Sequence, residues 1–143
     1  MKDYINVVGA GLAGSEAAWQ ITRLGVKVRL FEMKPQKYTP AHTLSTFGEL
    51  VCSNSLRSAQ LENAVGLLKE EMRILDSLII KCADSTRVTS GGAPDVDREK
   101  FSLMITQELK KNPLIEIIEG EVSEIPQDAI TIISSGPLTE GEP

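Results

Sequence analysis

Ile5-Asn6-Val7-Val8-Gly9-Ala10-Gly11-Leu12-Ala13-Gly14-Ser15-Glu16, answered by Val28-Arg29-Leu30-Phe31-Glu32, is the stretch that decides the fold. A short apolar run meets Gly-x-Gly-x-x-Gly, a helical pattern follows, and a second apolar run closes on a carboxylate. Each part has a mechanical job. Gly9 allows the tight turn out of a strand, Gly11 lets backbone approach a pyrophosphate, and Gly14 lets the helix pack closely on the strand. Phosphates at such a place face the unpaired N–H groups and positive dipole end of the helix. The backbone from Gly9 through Ala10, Gly11, Leu12 and Ala13 to Gly14 is therefore the expected binding loop. Glu32, 18 positions past Gly14, stands where an acid accepts the ribose hydroxyls of a bound dinucleotide.

The strand before, the helix after and the acid at the end of the next strand set this apart from an ordinary glycine turn. They predict an α/β fold of the Rossmann type, a mainly parallel sheet with flanking helices and an antiparallel addition. At 143 residues, positions 1–143 suit one domain with a sizeable core. Hydrophobic content of 41% with 24% charged residues is that of an ordinary globular chain. No apolar run approaches the roughly 18 residues that span a bilayer, so no membrane partner is expected. Met1-Lys2-Asp3-Tyr4 leads straight into the first strand, without the pattern of a signal peptide.

Cys52 and Cys82 are separated by 30 positions, with no CxxC and no histidine-rich segment. Neither a disulfide framework nor a metal site is indicated, and a reducing cytoplasm is the expected setting. The net charge of −5 argues against a general nucleic-acid binder. It is unevenly spread: residues 1–57 carry seven Lys/Arg against four Asp/Glu, and residues 58–143 carry eight against sixteen.

In chain order, Tyr4 to Val8 reads as a buried parallel strand and Leu12 to Leu24 as a helix, with Gly25 just past its end. Lys27 to Glu32 is the second strand. Residues 33–60 show little periodicity, and a loop this long inside a compact domain is usually functional. Leu61, Ala64, Val65, Leu68, Met72, Leu75 and Ile79 predict one amphipathic helix. Thr86 to Val96 reads as a loop hinged at Gly91-Gly92-Ala93-Pro94. Asp97 is the expected N-cap of a helix that turns Phe101, Met104, Ile105 and Leu109 inward and stops at Asn112-Pro113. Leu114 to Ile125 is the next expected strand, with Glu116, Glu119, Glu121 and Glu124 facing water. Ala129 to Ser134 is the last, ending in Ser135-Gly136-Pro137, where backbone could again approach a ligand. Past Leu138 a frayed tail is expected.

Three features fall together: the glycine fingerprint with Glu32, Asp97-Arg98 opening a helix, and a strand ending Ser-Ser-Gly-Pro. They resemble the FAD domain of two-dinucleotide-domain flavoproteins. The run Glu49-Leu50-Val51-Cys52-Ser53-Asn54-Ser55-Leu56 is sharper. With Gly-Ala-Gly-Leu-Ala-Gly-Ser-Glu and Phe31-Glu32-Met33-Lys34-Pro35, it is similar to the folate- and FAD-dependent tRNA (uracil-5-)-methyltransferases. Members of that family are much longer, so the chain reads as an N-terminal portion.

The resemblance implies C5-methylation of the T-loop uridine (position 54) of tRNA. Methylenetetrahydrofolate would be the carbon donor, FAD the carrier and NAD(P)H the reductant. It assigns Cys52 a catalytic role, as a base or in support of the thiol that activates uracil. It places the backbone from Gly9 to Gly14, Glu32, Arg98 and Gly136 at FAD. The family's second cysteine lies in a segment this chain lacks, so residues 1–143 alone are not expected to methylate tRNA. Cys82 is expected in the core, and His42 is a loop residue and a candidate neighbour of flavin or folate. The alternatives are a carboxymethylaminomethyl-uridine-type tRNA modifier, a generic FAD/NAD(P)H oxidoreductase, and a FAD-binding module without catalysis.

Overall fold

The computed structural model describes residues 2–57, 60–90 and 93–139. Two short runs, β1 (Tyr4–Val8), rich in β-branched residues, and β2 (Lys27–Glu32), pair in parallel across α1 (Leu12–Arg23). All three match the bounds the sequence predicts to within a residue. The chain then passes through α2 (Ala64–Ile74), α3 (Leu78–Ser85) and a hairpin of β3 (Arg87–Ser90) and β4 (Ala93–Val96). Helix α4 (Arg98–Lys110) carries it back to β5 (Ile115–Glu119), beside β2, and β6 (Thr131–Ile133) closes on β1. The sheet order is β5-β2-β1-β6 and every pairing in it is parallel.

Alternation along the strands gives the sheet two unlike faces. Val7, Val28, Leu30 and Ile115 turn towards α1, α3 and α4, where they meet Ala18, Leu78, Phe101, Ile105 and Leu109 in one core. Burial of these apolar side chains is the main term holding the sheet to its helices. The other face carries Arg29, Phe31, Ile118 and Ile133, all at least partly open to solvent. Among the described residues no helix is long and apolar enough to cross a membrane.

The single helix predicted through Leu61 and Ile79 is two helices. The chain breaks at Leu75-Asp76-Ser77, with Asp76 at φ 58. Side chains of α1 satisfy both ends of the break. Arg23 donates to the Leu75 carbonyl at 2.7 Å and Trp19 Nε1 to the Asp76 carbonyl at 3.0 Å. The Glu16 carboxylate accepts from Ser77 Oγ (2.7 Å) and from the N–H groups of Leu78 (3.2 Å) and Ile79 (3.0 Å). Those orphan groups would otherwise favour an unbroken helix. The consequence is that α3 buries Leu78, Ile79 and Ile80, while Leu68 (56%) and Leu75 (66%) stay exposed on and just after α2.

Three further expectations are corrected. The loop expected at 86–96 is the β3–β4 hairpin; its Gly91-Gly92 lies outside the described residues. The strand expected over 114–125 ends at Glu119, because Gly120 turns at φ 135 and donates its N–H to the Glu32 carbonyl. The last strand is three residues, not six. The tail residues 140–143 also lie outside the described residues. Asp97 caps α4 as expected, accepting from the Lys100 N–H at 3.1 Å.

Candidate functional site

Because β1, β2 and β6 run in parallel, their carboxyl ends meet on one edge, where ligands of open α/β sheets bind. Gly9 leaves β1 at φ 96, a conformation open to glycine, and donates to the Phe31 carbonyl at 2.8 Å. The Ala10 N–H donates to Glu32 Oε2 at 2.9 Å. From the third strand end, Ser134 Oγ donates to the carbonyls of Val8 (2.8 Å) and Gly9 (3.1 Å). Three strand ends are thus stitched into one rim.

The three fingerprint glycines are demanded by different things. A Cβ on Gly14 would lie 1.7 Å from the Gly9 carbonyl oxygen, and one on Gly9 would lie 2.5 Å from that of Ser134. The fold itself forbids both. A Cβ on Gly11 would meet nothing within 4 Å, and its φ of −73 suits any residue. Nothing in the protein asks for glycine there, whereas a pyrophosphate lying against the backbone would. A Cβ on Gly136 would likewise meet nothing within 4 Å, but its φ of 81 is itself a conformation that favours glycine. Helix α1 begins with no side-chain cap and no acid in its first turn, which leaves its N-terminal amides and dipole directed at an anion. The residues present fit a dinucleotide cofactor.

Glu32 is only 7% exposed, and its second oxygen accepts from the Lys34 N–H at 3.0 Å. It therefore braces the binding loop, and each oxygen keeps a further lone pair for a ligand hydroxyl. Lys34 in turn reaches the next loop. Its Nζ donates to the Thr46 carbonyl at 2.7 Å and pairs with Glu49 at 3.5 Å, with both side chains 5% exposed. Burial works to raise the Glu49 pKa. The N–H groups of Thr43 and Leu44, the Thr43 hydroxyl and the Lys34 charge outweigh it and hold the carboxyl below its ordinary value.

A carboxylate lowered on folding contributes stability above its unfolded value, near pH 4.5, and loses it as pH falls through the lower folded value. Glu49→Gln, which leaves Lys34 buried with half its partners, is expected to destabilise the protein by about 3 kcal/mol at neutral pH. The difference in melting temperature should shrink steadily on acidification through that window. A pH-independent difference would show that the charge of Glu49 is not what matters.

The loop is also tied to the rim and to α4. Gly48 donates to the Ala10 carbonyl at 2.9 Å, the Phe47 N–H to Thr106 Oγ1 at 2.8 Å, and Ser102 Oγ to the Phe47 carbonyl. Leu50 is buried, after which Val51, Cys52 and Ser53 emerge into solvent. Cys52 is exposed, four residues past the point where the loop touches the glycine turn. Cys82 is fully buried in α3, and burial, then the Glu108 charge, pushes its thiol up to about 11. Such a thiol is inert.

Arg98 is the exposed first residue of α4, the helix that leads the chain back to the start of β5. His42 bonds within its own loop, to Thr39. Sequence reasoning missed the Lys34–Glu49 pair. Its one local signal is a charged residue two positions after the end of a strand.

The profile of the glucose inhibited division protein A family matches residues 4–142. The chain is 66% identical over 142 residues to the methylenetetrahydrofolate–tRNA-(uracil-5-)-methyltransferase TrmFO of Acetivibrio thermocellus, covering 99% of this chain and 33% of that protein. It is 62% identical over 138 residues to the protein of the same name from Streptococcus sanguinis, covering 96% and 31%. The chain therefore spans about a third of the length of the curated relatives it matches. Among solved structures, GidA of Aquifex aeolicus superposes with a TM-score of 0.69 at 21% identity, over 86% of this chain and 20% of that one, a likeness of fold. With the fingerprint, the parallel sheet and a family profile running almost end to end, the chain belongs to the glucose inhibited division protein A family.

Proposed function

We propose that this chain is the FAD-binding part of a folate-dependent tRNA (uracil-5-)-methyltransferase. The observation that carries the reading is the 66% identity, across 99% of the chain, to a relative of that name. The open space at Gly11 and the uncapped start of α1 support a pyrophosphate ligand. In this reading the amides from Gly9 to Gly14 hold the diphosphate, Glu32 accepts the ribose hydroxyls, and Gly136 and Arg98 border the flavin. FAD, when bound, supplies redox chemistry and carriage of the one-carbon unit from methylenetetrahydrofolate, with NAD(P)H as the reductant.

Uracil C5 is a poor nucleophile until a group adds to C6 or the C5 proton is removed. The thiol of Cys52, exposed beside the rim, serves that activation as a base or in support of a second thiol from the remainder of the protein. The substrate sets the place of work as the cytoplasm.

The full-length protein, given FAD, NADPH, methylenetetrahydrofolate and unmodified tRNA, is expected to form 5-methyluridine in the T loop, detected by nucleoside mass spectrometry. Residues 1–143 alone should form none. A different modified nucleoside, or methylation that persists without folate, would overturn the reading.

A further inference from the structure

Two buried charges stand between the glycine rim and Cys52. Lys34 Nζ and Glu49 lie 3.5 Å apart, and both side chains are 5% exposed. Removing one partner would strand the other charge. Replacing both is another matter: taking two charges out of water costs about as much as their attraction returns, so an apolar pair of similar volume would serve stability at least as well. What the ion pair adds is one defined geometry, because each partner is committed to further groups. Lys34 Nζ also donates to the Thr46 carbonyl at 2.7 Å. Glu49 Oε1 accepts from the Thr43 N–H at 2.9 Å and from the Thr43 hydroxyl at 3.1 Å.

The pair lies on a continuous path from the rim to the thiol. At the rim, the Glu32 carboxylate accepts from the Ala10 N–H at 2.9 Å and from the Lys34 N–H at 3.0 Å. The Ala10 carbonyl in turn accepts from the Gly48 N–H at 2.9 Å. The acid placed for the ribose and the turn placed for the phosphates are therefore each one hydrogen bond from the segment that holds the pair. At the far end, Leu50 is 8% exposed, Val51 is 40% exposed, and Cys52 is exposed. The three residues from Glu49 to Cys52 span at most about 10 Å, so a shift at Glu49 reaches the thiol with little slack.

We propose that Lys34 and Glu49 are positioning residues for the methyl transfer, holding the Cys52 thiol in fixed register with the glycine rim so that occupancy of the rim is felt at the thiol. The proposal rests on the function given above, in which FAD occupies the rim and Cys52 helps to activate uracil. Both residues act through the loop and not by contact with the reacting atoms. A misplacement of about 1 Å in such a constellation costs on the order of 100-fold in rate.

The test uses the full-length protein, wild type against Lys34→Met/Glu49→Leu, which removes both charges together and leaves neither stranded. The double variant should fold, keep its flavin absorbance and melt no earlier than the wild type. Its kcat for 5-methyluridine formation should fall about 100-fold, with KM for tRNA within about twofold of the wild type. The second readout is independent of turnover: iodoacetamide alkylation of Cys52, followed by peptide mass spectrometry. FAD should slow that alkylation severalfold in the wild type, relative to flavin-stripped protein, and should leave it unchanged in the variant.

Wild-type alkylation that FAD does not alter would overturn the proposal without any variant. A folded variant with wild-type kcat would overturn it too. Loss of flavin from the variant would make the pair a brace of the cofactor site and remove the assignment to the thiol. A double variant that fails to fold would show a structural tie only. Wild-type protein that binds no flavin or forms no 5-methyluridine would sink the proposed function itself; wild type that does both while the variant matches it would sink the positioning role alone.

Discussion

Gly11→Val in the full-length protein is expected to give a folded molecule without flavin. The position is half-buried, its backbone angles are ordinary, and a Cβ there touches nothing within 4 Å, so the fold has no objection to a side chain. The pyrophosphate proposed to lie against that backbone would be displaced by the branched carbons. Flavin absorbance after gel filtration should fall to background, while far-ultraviolet circular dichroism stays native. Gly14→Val is the informative contrast. Its Cβ would sit 1.7 Å from the Gly9 carbonyl oxygen, so helix α1 would have to leave the strand it packs on, and soluble protein itself should be lost. Flavin retained in Gly11→Val at the wild-type level would remove the phosphate-loop assignment.

Cys52→Ala is expected to abolish 5-methyluridine formation while leaving flavin content and melting temperature near those of the wild type. The reason is exposure: the side chain fills no core space, so truncation leaves no cavity. Cys82 should behave in the opposite way. It is fully buried among the side chains of α3 and its neighbours, so Cys82→Ser, which places a hydroxyl there, should cost about 1–3 kcal/mol of stability and leave activity per folded molecule intact. Thermal melts and single-turnover methylation on the same preparations separate the two. Normal methylation by Cys52→Ala would return that thiol to the surface chemistry of an ordinary loop.

Much of the rim was legible in the residues because its information is local. Gly-x-Gly-x-x-Gly states its turn and helix start within six positions, and the strand bounds Tyr4–Val8 and Lys27–Glu32 follow from a short β-branched run and a short apolar run closing on a carboxylate. Asp97 announces its helix in the same way, since a cap acts on amides two or three residues away. Burial of Cys82 and exposure of the acids from Glu116 to Glu124 likewise follow from pattern.

What the sequence by itself determined was the nature of the binding edge: a parallel βαβ start, a glycine turn and an acid, all set by contacts within a turn or a strand. The tertiary structure alone decided the rest, through partners far apart in the chain. The break between α2 and α3 depends on Glu16, Trp19 and Arg23, more than 50 positions away, which satisfy the exposed helix ends and override the apolar period. The distinction between Gly11 and its two neighbours depends on where the Ser134 and Gly9 carbonyls come to rest. Lys34 meets Glu49 because the loop that carries Glu49 is fastened by single hydrogen bonds to other elements, and no periodicity records such a bond.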